Sequence, residues 1–310
     1  MVISRSYRMK IFELIYRIKK KIIAFYEKYF TVKGLYDCIL PDKIYIKKLY
    51  KARTGKELNL KNPQTFNEKQ NWLKLYDRRP EYTMMVDKYK VREYIAEKIG
   101  EKYLVPLLGV WDSPDEIDFE SLPNEFVLKC NHDNGVIICR DKASFDIDGA
   151  KKNLEWRLKR DYYRKLREWP YKNVKRKIIC EKFMKAMKKN NAMEYKIFCY
   201  SGVPMYVLVV SDRLNSSSVA MDMYDIEWNH LDITRGNHSQ AGDIFEKPDN
   251  FSEICELAKI LSADIPFLRV DFNVWNEKVC FGELTFYDLG GFETYSPEEW
   301  NLKLGLPLKI

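Results

Sequence analysis

Ahead of residue 100 the apolar residues recur mostly at helical spacing, and beyond residue 126 they mostly alternate. In residues 9–29, Ile11, Leu14, Ile15, Ile18, Ile22 and Phe25 fall three and four apart while Lys and Arg fill the other face, which predicts an amphipathic helix. Residues 34–41 read as a junction. A helix is predicted over 67–75, closed by Pro80, and a second one after Thr83, running through Asp87, Lys88 and Tyr89 to Ile99 and stopped by Gly100. The apolar run 104–111 predicts a buried strand. FVLKC and VIIC, separated by Asn131-His132-Asp133-Asn134-Gly135, predict a hairpin in which Asn-Gly supplies positive φ. Residues 149–169 are charged and helical, RKIICEKFM contains a strand, and EYKIFCYSG and MYVLVVSDR predict two more. Residues 213–248 show no regular period and are expected to be irregular, with a mobile substrate loop. Residues 251–262 predict an amphipathic helix. FLRVDFNVW and VCFGELTFY predict a last hairpin turning at Asn276-Glu277-Lys278.

Composition narrows the class. The 310 residues carry a formal charge of +8, which first suggests nucleic acid. The charge is uneven, however. Residues 1–56 hold 15 Lys/Arg against 4 Asp/Glu, and the remainder holds 38 against 41, so the body is slightly acidic. Nucleic-acid binding is therefore not expected. The helix over 9–29 suits packing on the body or on a partner chain, or contact with anionic lipid. Seven scattered cysteines without CxxC, and three dispersed histidines, give neither a disulfide frame nor a zinc site. No apolar run reaches membrane-spanning length, and charges interrupt every apolar run near the N-terminus. A cytoplasmic protein is expected, held peripherally at the membrane if the basic helix binds lipid.

The last hairpin carries the most chemistry. Period two puts Leu268, Val270, Phe272 and Val274 on one face and Arg269, Asp271 and Asn273 on the other. Gly282, Leu284 and Phe286 alternate likewise with Glu283, Thr285 and Tyr287. A three-residue loop sets Asp271 opposite Glu283 and Arg269 opposite Thr285. Opposed carboxylates, about 5 Å apart at Cβ, repel unless a cation joins them. Oxygen ligands at this spacing suit Mg²⁺, which takes the rest of its shell from phosphate and water. The other reading is a solvated face with an Arg–carboxylate pair. Lys129 ends a strand before a polar turn and is placed to clamp phosphate. Glu181 follows a strand, Glu194 and Lys196 share a face, and Arg213 ends the strand after that.

In order, NPQTFNEKQNWLKLYDR, YTMMVDKYKVREYIAEKIGEKYLVPLLGVWD, LPNEFVLKCNHDNG, EYKIFCYSG, FLRVDFNVW and FGELTF resemble the ATP-grasp superfamily, specifically the TupA-like family of teichuronopeptide biosynthesis. The resemblance runs from about Leu40 to the C-terminus. It implies an α+β ATP-grasp fold, two α+β lobes clasping ATP, with a basic N-terminal helical extension. The division expected is 1–34 extension, 35–125 helical region, 126–182 small lobe and 183–310 large lobe with the metal site. It implies ATP and Mg²⁺ as cofactors. By position, Lys88, Lys129, Asn134, Gly135, Glu181, Lys182, Phe183 and Glu194 would meet the nucleotide. Lys196, Arg213 and Arg269 would contact transferring phosphate, and Asp271, Glu283 and Thr285 would hold metal. Two departures stand out: Thr285 replaces the Asn usual in the metal motif, and the flap has one glycine.

The chemistry implied is activation of a carboxylate as acyl-phosphate, followed by amide formation. The family's link to cell-surface polymers suggests a uronic-acid or other glycan carboxylate, lipid-linked, joined to an amino acid or other amine. A kinase or glycosyltransferase of the same pathway is the alternative, and a non-catalytic nucleic-acid or membrane binder a third reading. No P-loop signature and no strand-borne GxGxxG occur, and no cysteine is coupled to a histidine.

Overall fold

The structure, a computed structural model, describes residues 40–184, 192–211, 220–236, 238, 240 and 245–310. The predicted helix over 9–29 and Arg213 lie outside them. Helix α1 (Asp42–Thr54), which the sequence reading does not anticipate, ends at Gly55 with φ 75°. Helix α2 (Phe66–Tyr76) starts one residue before the predicted span. Thr65 is its cap: its hydroxyl accepts from Glu68 N, and the Glu68 carboxylate accepts from Thr65 N.

The single helix predicted from Thr83 to Ile99 is two, α3 (Glu81–Val86) and α4 (Val91–Lys98). Asp87 makes the break. Its Oδ1 accepts from Tyr89 N at 2.9 Å and Lys90 N at 3.2 Å, and also from Asn131 Nδ2 at 2.8 Å. Lys88 N meanwhile donates to Asn131 O at 3.0 Å. A tertiary partner interrupts the helix and turns Lys88 out of it.

Strands β1 (Leu107–Trp111), β2 (Phe126–Cys130), β3 (Val136–Cys139) and β4 (Ile178–Lys182) form an antiparallel sheet in the order β1-β4-β2-β3. The β2–β3 hairpin forms as predicted, but its turn does not use left-handed residues: neither Asn134 nor Gly135 has positive φ. The Arg157 guanidinium packs against Gly135 instead: a Cβ there would meet Nη1 at 1.6 Å and push that side chain aside. The charged region expected to be helical comprises α5 (Ile147–Lys159) and the short α6 (Tyr163–Leu166), followed by a 3₁₀ segment Trp169–Asn173.

The larger antiparallel sheet has the order β11-β10-β5-β6-β7-β8. Its strands are β5 (Ala192–Tyr200), β6 (Val203–Ser211), β7 (Ala220–Asp225), β8 (His230–Leu231), β10 (Phe267–Trp275) and β11 (Lys278–Thr285). Strand β9 (Thr234–Arg235) pairs with β12 (Tyr295–Ser296). The region expected to be irregular thus contains β7, β8 and β9. In β7, Ala220, Asp222, Met223 and Tyr224 are all buried, which leaves no alternation for a sequence pattern to show. Helix α7 (Phe251–Ser262) packs on β5, β6 and β10. Near the C-terminus lies α8 (Glu299–Lys303).

The β10–β11 hairpin departs from expectation twice, with one result. Its turn is two residues, Asn276 and Glu277, both at positive φ, with Trp275 opposite Lys278. A bulge at Gly282 then adds one residue to β11, and the register beyond it is the predicted one: Asp271 faces Glu283 and Arg269 faces Thr285. Glycine is needed there because a Cβ would sit 2.9 Å from Asp271 O.

The main core lies against the six-stranded sheet, where Phe198, Phe267 and Phe272 are fully or almost fully buried and Phe66 of α2 meets Phe267 edge-on at 4.9 Å. A smaller core of Phe126, Leu128, Leu154 and Cys180 backs the four-stranded sheet. The architecture is mixed α+β.

Candidate functional site

The pairing of three strands assembles the site. Lys196 of β5 lies opposite Asp271 of β10, and Glu194 opposite Asn273. The Lys196 ammonium donates to Glu194 Oε1 at 2.7 Å and to Asp271 Oδ2. Arg269 binds Asp271 with two donors, Nε to Oδ1 and Nη2 to Oδ2, each at 2.7 Å. Its Nη2 also approaches Thr285 Oγ1 at 3.1 Å and Glu283 Oε1 at 3.2 Å. Two residues from each of three neighbouring strands thereby converge, which the two-residue period of a strand makes possible.

Burial gives the group its electrostatics. Asp271 has no exposed surface, and Lys196 and Arg269 are 6% and 8% exposed. Burial pushes the Asp271 pKa up, against the opposing pull of Arg269 and Lys196. Burial would lower that of Arg269, but Asp271 and Asp288 outweigh it and hold the guanidinium firmly charged. Interlocked charges of this kind are fixed in place before any ligand arrives.

Asp288, absent from the sequence reading, extends the network. Its Oδ1 accepts from Arg269 Nη1 at 2.5 Å, and its Oδ2 accepts from Arg235 Nη2. Glu293 lies 3.4 Å from the same Arg235. Burial acts to raise the Asp288 pKa, but the two guanidiniums overcome it and hold the pKa below the usual carboxylate value. Asp288 stands at the head of a loop with Leu289, Gly290 and Gly291 all at positive φ, and Gly-Gly after an acid was the available signal.

The remaining predicted residues fall into a second group. Lys129 pairs with Glu181 across β2 and β4, and Arg92 of α4 approaches Glu181 at 3.4 Å while donating to Val105 O. Lys88 belongs with the first group, its Nζ 3.8 Å from Glu283 Oε2. Gly135 is buried and Asn134 exposed in the β2–β3 turn. Lys182 is exposed at the end of β4, and Arg140 lies over the Phe183 ring at 5.6 Å.

Two further buried charges escaped the sequence reading. Lys74 of α2 is fully buried and donates to Asn71 Oδ1, Leu166 O and Gly290 O. Burial lowers its pKa to about 7, with Glu168 pulling the other way. Glu168, 8% exposed, is raised to about 7 by burial, with Lys74 opposing.

Asp271 and Glu283 offer oxygen donors from opposed positions with Thr285 alongside. Among the described residues no group of three or more His, Cys, Asp or Glu side chains forms a complete metal cage. Two carboxylates fit an ion such as Mg²⁺, which completes its shell with phosphate and water.

The family model described as TupA-like ATPgrasp matches residues 68–309. No curated protein matches the chain. D-alanine–D-alanine ligase from Bacillus anthracis, solved with ATP, is 14% identical with a TM-score of 0.38, over 71% of this chain and 57% of its own. L-amino acid ligase from Bacillus licheniformis is 13% identical with a TM-score of 0.44, over 76% of this chain and 51% of its own. This chain spans little more than half the length of either.

Proposed function

This chain belongs to the TupA-like ATP-grasp family, and we propose that it is an ATP- and Mg²⁺-dependent carboxylate–amine ligase of cell-surface polysaccharide biosynthesis. ATP-grasp enzymes are in general ATP-dependent ligases that form amide or peptide bonds. The proposed acceptor is a uronic-acid or other glycan carboxylate, and the nucleophile an amino acid or other amine. The observation that supports it most is the pairing of Asp271 with Glu283 beside Arg269 and Lys196, a constellation with both signs of charge suited to a metal-bound triphosphate.

In this reading Lys88, Lys129, Asn134, Gly135, Glu181, Lys182, Phe183 and Glu194 meet the nucleotide. Asp271 and Glu283, with Thr285, hold Mg²⁺, which supplies charge neutralisation of the phosphates when bound. Arg269 and Lys196, together with Arg213, stabilise the charge that develops as an acceptor carboxylate oxygen attacks the γ-phosphorus and ADP departs. The amine then displaces phosphate from the acyl-phosphate.

Residues 1–34, which are strongly basic, are proposed to hold the enzyme at an anionic cytoplasmic leaflet near a lipid-linked acceptor. Among the described residues no helix is long and apolar enough to cross a membrane. Truncating residues 1–33 is expected to abolish vesicle binding while soluble-substrate turnover persists.

A screen of uronic acids, including glucuronate and galacturonate, against amino acids tests the reaction. The expected result is ADP release that needs both substrates, with a product mass equal to their sum less water. ADP with a phosphorylated sugar and no amine requirement would identify a kinase. Turnover of a nucleotide sugar without ATP would identify a glycosyltransferase.

A further inference from the structure

Unmet hydrogen-bonding atoms gather where α2 meets the chain that follows β11. Gln70 of α2 has no exposed surface, and neither its amide oxygen nor its amide nitrogen has a partner among the described residues. One turn earlier, Asn67 Nδ2 donates to Glu293 O at 2.7 Å, while Asn67 Oδ1 has no partner. Residues three apart share a helix face, so both amides turn toward the same stretch. Gly291 closes over Gln70: a Cβ there would lie 3.1 Å from Gln70 Cβ. In the β9–β12 pair Arg235 faces Tyr295, with the guanidinium carbon 5.9 Å from the ring centroid. Arg235 Nε and the Tyr295 hydroxyl close no hydrogen bond with each other or with any described residue. Glu293 joins the two halves, since its carbonyl holds Asn67 and its Oε2 lies 3.4 Å from Arg235 Nη2. All four residues are more than nine-tenths buried.

A buried polar atom without a partner costs stability, and native proteins keep few of them. The kinds of atom present say what would fit. Arg235 Nε, Gln70 Nε2 and the Tyr295 hydroxyl can donate, and Gln70 Oε1 and Asn67 Oδ1 can accept. A carboxylate would serve only the donors and an ammonium only the acceptors, whereas hydroxyl groups serve both. Charge points the same way. Arg235 is already matched by Asp288 and Glu293, so the cluster offers an anion no surplus positive charge. Position says whose hydroxyls these are. The Asp288 that accepts from Arg235 also accepts from Arg269 Nη1 at 2.5 Å, so one carboxylate separates Arg235 from the guanidinium assigned to transferring phosphate.

We propose that Asn67, Gln70, Arg235 and Tyr295 form a subsite for hydroxyl groups of the sugar acid whose carboxylate is activated. The inference rests on the ligase reading and names the part of the acceptor that the fold recognises. Because the unmet atoms are buried, hydroxyls reach them as the loop Asp288–Gly291, which lies against Gln70, yields. Leu289 of that loop is half exposed, and the loop stands on the side of the cluster nearest Arg269.

Deoxy analogues separate recognition from packing, because a site built around a hydroxyl rejects the analogue that lacks it. The sugar acid found active in the uronic-acid screen and its singly deoxygenated analogues are compared by kcat/KM in wild type, Gln70→Met and Tyr295→Phe. Wild type is expected to lose at least about tenfold on one or more analogues. Each variant should lose about tenfold on the parent acid, with the KM for ATP unchanged. Each should also distinguish the parent from an analogue that wild type rejects by less than about threefold. A variant that only disturbs packing would lower both substrates in proportion and keep the wild-type ratio. That result would overturn the proposal. Wild-type indifference to every deoxy analogue would overturn it too, and would leave ordered water as the occupant. If Gln70→Met does not fold, Tyr295→Phe carries the comparison, since it removes a single oxygen. A wild-type enzyme inert in the screen refutes the ligase reading and this inference with it, whereas an active one whose variants keep the wild-type ratio refutes only this inference.

Discussion

Each sheet offers a lysine–carboxylate pair, and the two pairs differ in what surrounds them. In the four-stranded sheet the side chains of Lys129 and Glu181 keep 25% and 12% of their exposure, and Arg92 is their one further charged neighbour within ion-pair distance among the described residues. In the six-stranded sheet Lys196 and Asp271 keep 7% and none, and they sit inside a network with Glu194, Arg269 and Asp288. The first pair is the more exposed of the two, so exchanging its partner for a ligand phosphate strands less buried charge. The second cannot be loosened without stranding buried charge. In the proposed ligase the rigid network would serve where bonds change, and the more exposed pair where a nucleotide enters and leaves.

The contrast breaks most severely at Asp271. Asp271→Asn removes the acceptor shared by Lys196 and Arg269, and should cost about 3 kcal/mol of stability and roughly a thousandfold in ADP release. Denaturant melts and steady-state kinetics check both, and a variant as stable as wild type would show that the network is not what holds the large sheet. Gly282→Ala acts on the same site through backbone. Its Cβ would press on Asp271 O at 2.9 Å, so about 1–3 kcal/mol is expected, with a higher Mg²⁺ requirement as Glu283 is displaced from Asp271.

At Lys129 the expectation reverses. Lys129→Ala should raise the KM for ATP about tenfold, some 1.4 kcal/mol, yet cost less stability than Asp271→Asn, since Arg92 remains 3.4 Å from Glu181. A large loss of stability there would erase the distinction between the sheets. The smallest effect concerns His132, buried in the β2–β3 turn. Burial lowers its pKa below the usual 6.5, with Asp133 opposing and Arg176 adding to it. The unfolded chain therefore takes up the proton first on acidification, and stability falls as pH drops below about 6.5. His132→Leu should flatten that limb of the stability–pH curve, and parallel curves for the two proteins would rule His132 out.

Strand faces were legible in the amino-acid pattern, and so was the opposition of Asp271 and Glu283. Their register came out right although the turn was misread, because the Gly282 bulge adds the residue that the shorter loop omits. The break that frees Lys88 was not legible. The run 83–99 has helical spacing throughout, and it is interrupted where Asp87 caps Tyr89 N and Lys90 N while held by Asn131, 44 residues away. Lys74 looks like any other lysine on a charged helix. Its burial comes from Leu166 and Gly290, 92 and 216 residues distant.

Local periodicity and residue type were enough to determined which side chains share a face, which carboxylates oppose each other on the last hairpin, and that the charge surplus belongs to the N-terminal end. These follow from the backbone's own repeat and from counting. Only tertiary structure decided which charges lose their water, which of them lock together, and that Lys74 and Glu168 stand buried. Desolvation depends on what the distant chain brings to cover a residue, and no repeat along a strand or helix records that.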